Sequence, residues 1–119
     1  MNIILVGLGG GLGAICRYLM SMIHVKGTFP LVTLGVNLIG AFVIGFIVGS
    51  SEKNGMSSQM ELFLKVGLCG GFTTFSTFSL EAYNLMKAGS YMQMGVYALG
   101  SVVLCIAGVT AGMYVSKKI

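Results

Sequence analysis

Four long apolar segments alternate with short polar ones along this chain. They cover roughly residues 3–23, 29–50, 60–86 and 91–115. Each meets the length of about 20 residues that a helix needs to cross hydrocarbon. The separators HVKGTFP, SSEKNGMSSQ and KAGS hold the only proline, Pro30, and much of the charge. The pattern predicts an all-α integral membrane protein, one domain over residues 1–119, with four transmembrane helices and almost no mass outside the bilayer. The first segment lacks the basic flank of a signal peptide, and apolar character continues well past any cleavage point, so the segment is read as retained.

Small residues recur four apart inside these segments: Gly9 and Gly13, Gly45 and Gly49, Gly108 and Gly112. That spacing lets helix backbones approach closely in lipid. GLGGGLGA, at Gly7 to Ala14, has the look of a dinucleotide-binding fingerprint. That mechanism needs a preceding strand and an acidic residue about 20 positions later. The flanks are membrane helix and position 27 is glycine, so helix packing is the reading kept.

Composition sharpens the class. Only 8% of the residues are charged, and the mean hydropathy is +0.93. A soluble domain carries roughly 25% charged residues, so this chain has too little charge to solvate a globule. The net charge of +4 is dispersed and forms no patch of the kind nucleic acid needs. Cys16, Cys69 and Cys105 all fall in apolar segments, without metal-ligand spacing. They are read as buried thiols used as small apolar residues.

Charge also bears on orientation. With four spans, one side collects Lys53, Lys65, Lys117 and Lys118, and the other Arg17, Lys26 and Lys87. Lys/Arg asymmetry sets orientation, and a split of four against three supplies almost none. The chain is therefore expected to insert both ways and to pair head to tail as an antiparallel homodimer.

The candidate chemistry is polar groups at membrane depth. GGFTTFSTFS, at residues 70–79, places hydroxyls at Thr73, Thr74, Ser76, Thr77 and Ser79 among Phe72, Phe75 and Phe78. Its segment is longer than one straight helix needs, and Gly70-Gly71 is a weak point, so the third helix is expected to break near the midplane, around residues 70–77. Broken backbone at membrane depth survives only where protein buries it or it lines a cavity. Freed carbonyls there coordinate small cations, hydroxyls donate to an anion, and the positive edges of the phenylalanine rings offer weak, apolar anion contacts. The alternative is a kinked helix whose hydroxyls bond back to their own carbonyls. Asn37, one turn after Thr33 on the same face, is either interhelical glue or an amide donor to an anion. Arg17 is an interface anchor or an anion-attracting charge. Glu81 fits a vestibule or structural role, since it lies towards the far end of its segment.

At these residues the chain resembles the Fluc (CrcB) family of small fluoride channels. The resemblance rests on GGGLGAICRY, GVNLIGAFVIG and GGFTTFSTFSLE, and on Tyr97 and Ser101 four apart in the last segment. It covers essentially the whole chain, and the GGFTTFSTFSLE motif is the most specific part. The resemblance implies a passive fluoride-selective channel in the bacterial cytoplasmic (inner) membrane that relieves fluoride toxicity. It implies a dual-topology antiparallel homodimer in membrane lipid, with two pathways and a structural sodium ion held by the backbone carbonyls of Gly70 and Thr73. It also implies an anion track of Asn37, Phe75, Ser76, Thr77, Phe78, Tyr97 and Ser101, with Thr33 and Thr110 as softer members and Arg17 and Glu81 as vestibule charges.

Two other classes compete. A small proton-coupled exporter of cationic drugs depends on a carboxylate in its first helix, and the first segment has none. A non-transporting accessory subunit has no need of a hydroxyl-rich broken helix. An enzyme is not expected, since there is no nucleophile–base pair and the only histidine, His24, falls in a separator.

Overall fold

In lipid a single segment can satisfy its backbone N–H and C=O groups only by coiling into helix. The computed structural model describes all residues, Met1–Ile119, and helix is its only regular structure. α1 spans Asn2–Ser21 and α2 spans Leu31–Asn54. The third segment is composite. α3 (Ser58–Glu61), a π-helical stretch (Leu62–Cys69) and α4 (Gly70–Phe72) run on without a gap. Thr73 and Thr74 are extended, and α5 then spans Phe75–Lys87. α6 closes the chain over Tyr91–Lys118. α1, α2 and α6 are each long and apolar enough to cross a membrane.

α2 continues beyond Ser50 into the polar SSEKN stretch and stops where Gly55 takes φ +77°. The extra turn has a partner. Glu52 pairs with Lys117 at 2.9 Å, the Lys53 ammonium donates to the Lys117 carbonyl at 3.2 Å, and the Ser51 hydroxyl donates to Glu61. These bonds join the end of α2 to the end of α6 and the start of the third segment. Exposed pairs of this kind are each worth at most about 1 kcal/mol.

The tightest packing is between backbones. α2 lies along α6, the most extensive helix pair in the molecule. A methyl added at Gly112 would meet the Phe46 amide nitrogen at 2.8 Å. α1 crosses the π-helical stretch and α4 in the same way, where a methyl at Gly13 would meet the Phe72 nitrogen at 2.7 Å and the Gly71 carbonyl carbon at 3.0 Å. Close approach of small residues replaces the hydrophobic effect as the source of helix association in lipid. The predicted packing role of Gly9 and Gly13 is thus seen, with Gly67 and Gly71 as their partners.

The break falls where it is expected, and one reading needs correction. The third segment breaks at Thr73–Thr74, within the expected stretch 70–77, while the weak point Gly70-Gly71 just before it stays helical. Gly71 serves the crossing with α1, packing onto Gly10. The cysteines are not uniformly buried. Cys69 is buried and Cys105 partly so, while Cys16 lies on the outer face of α1.

Candidate functional site

The break at Thr73 (φ −81°, ψ 160°) and Thr74 (φ −148°, ψ 121°) removes these residues from the helical ladder, so their backbone groups need other partners. Asn37 of α2 supplies two. Its Nδ2 donates to the Thr74 carbonyl at 3.0 Å, and its Oδ1 accepts from the Thr74 N–H at 2.8 Å. One side-chain amide thereby stands in for a missing stretch of backbone.

The hydroxyls divide by task. The Thr74 hydroxyl accepts from the Thr77 N–H at 3.1 Å and so caps α5, while lying 3.5 Å from the Ser76 hydroxyl. The Thr73 hydroxyl donates back to the Cys69 carbonyl at 2.9 Å. The kinked-helix alternative therefore describes Thr73 well. It does not describe Thr74, whose backbone is carried by Asn37.

Arg17 reaches the break from α1. Its Nε donates to the Gly71 carbonyl at 3.2 Å, a carbonyl that the extended Thr73–Thr74 stretch leaves without its helical partner. The carbonyls of Gly70 and Thr73 differ, because no backbone hydrogen bond outside the regular helices uses either.

A row of aromatic rings runs from the break. The Phe75 and Phe78 centroids are 5.5 Å apart, and Phe78 and Tyr97 are 5.0 Å apart. Phe29 meets Tyr97 edge-on at 5.6 Å. Phe75, at the open end of the row, is 78% exposed, and Tyr97 is completely buried. The Tyr97 hydroxyl donates to Glu81 at 3.1 Å, and Thr33 is buried in α2. Phe29 was missed from the sequence, where it reads as an ordinary loop aromatic beside Pro30.

These elements border a cavity of about 410 Å³ lined by Asn37, Thr74, Phe75, Phe78 and Ser101 among others. Ser101 is only 7% exposed, and its hydroxyl has no hydrogen-bond partner. A buried hydroxyl without a partner costs about 1–3 kcal/mol, so this one is poised for a ligand or a water. A second cavity, of about 500 Å³, lies beyond the ring row and includes Glu81 and His24. Asn37, Phe75, Phe78 and Ser101 thus share one cavity, Tyr97 and Glu81 continue from Phe78, and Ser76 and Thr77 lie at the α5 cap formed by Thr74. Thr110 does not join them: its hydroxyl is exposed and bonds back to the Ile106 carbonyl at 2.9 Å.

The comparisons with known proteins agree on one family. The model described as "CrcB-like protein, Camphor Resistance (CrcB)" matches residues 4–113. A protein of Phocaeicola vulgatus is 43% identical over 119 residues, covering 98% of each chain. One of Methanococcus maripaludis is 44% identical over 116 residues, covering 97% of this chain and 95% of its own. One of Agrobacterium fabrum is 42% identical over 123 residues, covering all of this chain and 98% of its own. Each of the three is named fluoride-specific ion channel FluC.

Proposed function

The chain belongs to the CrcB family, and from that premise we propose that it is a fluoride-specific ion channel, a multi-pass membrane protein that lets the anion run down its electrochemical gradient. It is a channel and not an enzyme. The observation that carries the reading is the unpartnered Ser101 hydroxyl, which shares a cavity with the Asn37-clamped break and the Phe75–Phe78 ring pair. Fluoride holds its water tightly, and a buried anion without compensation carries a large desolvation cost. Hydroxyl and amide donors replace that water. Ring edges hold the ion weakly enough for release, which conduction requires.

The working unit in this reading is an antiparallel homodimer with two pathways. Three observations support it. The molecule is 19 Å thin along its shortest axis, about two helix diameters, and one such layer cannot wall off a pore. Phe75 projects from the ring row with most of its surface open. The near-even distribution of Lys and Arg favours both orientations.

A sodium ion fits the same arrangement. No backbone hydrogen bond outside the regular helices uses the Gly70 or Thr73 carbonyl, and hard cations take oxygen ligands of this kind. Two carbonyls from each of two chains would hold the ion, which supplies a fixed positive charge offsetting part of the anion's desolvation cost. Arg17 fastens the backbone next to those carbonyls, and Asn37 fastens it on the other side.

The deciding experiment is release from proteoliposomes loaded with potassium fluoride, started with valinomycin and followed with a fluoride electrode. Chloride-loaded vesicles run in parallel. Rapid fluoride release with chloride retained is the expected result. Intact vesicles holding well-folded protein that release neither ion would overturn the channel reading.

A further inference from the structure

The three acidic side chains of this protein all have partners. Glu52 pairs with Lys117, Glu61 accepts from Ser51, and Glu81 accepts from Tyr97. Lys65 has none. It sits in the middle of the third segment's first half, within the π-helical stretch Leu62–Cys69. Glu61, one turn before it, is its nearest acid in sequence; its carboxylate accepts from the Ser51 hydroxyl and forms no ion pair with Lys65. The only ion pair in the molecule is the one between Lys117 and Glu52.

Lys65 also lines the cavity that holds the orphaned Ser101 hydroxyl, Asn37 and Phe75. The wide turn of a π-helix, with its i→i+5 bonding, brings Gly70 as well as Cys69 beneath Lys65, and all three line that cavity. The side chain is partly buried. A charged group within a membrane segment is costly unless it meets an opposite charge or water. No ion pair to Lys65 forms, and the cavity that it lines can supply the compensating partner, an anion or water.

We propose that Lys65 is an anion-gathering residue of the ion pathway: its ammonium draws fluoride into the Asn37–Ser101 cavity and so sets the fluoride concentration at which transport operates. The proposal rests on the channel reading and adds a residue to it. A cleft lined by one sign of charge with low-dielectric walls raises the local concentration of its counter-ion. The effect is greatest at low ionic strength and shrinks as salt screens it.

The test uses the full-length protein in liposomes, with Lys65→Met, Lys65→Gln and Lys65→Arg beside the unmodified chain. Initial fluoride efflux is measured over a range of fluoride concentrations at low and high ionic strength. The expected result is a half-maximal fluoride concentration about tenfold higher in the Met and Gln variants at low salt, with a similar maximal rate, a smaller difference at high salt and near-normal behaviour in Arg. Two results would overturn the proposal while leaving the channel reading intact. One is concentration dependence equal to the unmodified chain in both uncharged variants. The other is a fall in maximal rate shared by all three variants, which marks Lys65 as structural. Absence of flux in the unmodified chain would remove both readings. Size-exclusion profiles identify any variant that fails to fold, and Gln stands in where Met does so.

Discussion

Asn37 spends one amide N–H and its oxygen on Thr74, which makes the effect of replacing it directional. Asn37→Asp keeps an acceptor for the Thr74 N–H but turns a negative oxygen towards the Thr74 carbonyl. Loss of the donor and repulsion between two acceptors should destabilise the protein by about 1–3 kcal/mol. Fluoride efflux should fall at least about tenfold, because the break and the cavity wall move together. Thermal unfolding in detergent and electrode-monitored efflux check the two effects; normal values for both would remove Asn37 from the pathway. Tyr97→Phe is the milder change. It preserves the ring contacts with Phe78 and Phe29 and deletes only the hydrogen bond to Glu81. A loss of about 0.5–1.5 kcal/mol is expected, with efflux less affected than in Asn37→Asp. Asn37 was legible in the sequence because an amide in the middle of an apolar run demands a partner. Its partner was not legible, since Thr74 lies on another segment 37 residues away. Lys65 shows the same limit: the sequence gives a lysine near a segment start, and only packing brings it to the cavity with Ser101.

At the scale of elements, the glycine-rich start of α1 separates into two functions that its spacing only partly distinguishes. Gly9 and Gly13 face the third segment with backbone atoms against them, whereas Gly7 and Gly11 have no neighbouring atoms within 4 Å. Gly13→Ala would push its methyl onto the Phe72 nitrogen and the Gly71 carbonyl carbon, which are backbone atoms and cannot rotate away. Overpacking of this kind costs about 1–3 kcal/mol, and here it also displaces α4 beside the break. Gly13→Ala should therefore lower the thermal midpoint and the yield of monodisperse protein, and Gly11→Ala should leave both close to normal. Equal behaviour of the two variants would refute this assignment. The four apolar blocks were readable because hydrocarbon imposes a length on each. The break was readable to within the stretch 70–77, but not to the residue. Gly70-Gly71 has the weaker helix propensity, yet it stays helical with Gly71 packed closely on Gly10 of α1, while the Asn37 clamp and the Thr74 cap stabilise the extended backbone three residues on. Tertiary contacts overrode local preference at both places, and the π-helical stretch before them had no recognised signal in the sequence.

For the whole molecule, the even charge distribution yields the strongest prediction about assembly. Four Lys/Arg residues on one side against three on the other leave orientation almost undetermined, so a small addition should decide it. Asn2→Lys with Gln59→Lys adds two positive charges to the side that already has four, and His24→Lys with Val25→Lys adds two to the other. All four positions are exposed. In a cell, each doubly substituted chain alone should insert in one orientation, as tags read from either side of the membrane will report. If transport requires an antiparallel pair, each should also lose fluoride efflux. Co-expression of the two should restore efflux, because each then supplies the orientation that the other lacks. A parallel dimer would behave differently: each variant would conduct alone, and mixing would add nothing. Recovery on mixing thus ties orientation, pairing and transport together, and it does so without altering any residue of the cavity that Asn37, Phe75 and Ser101 line.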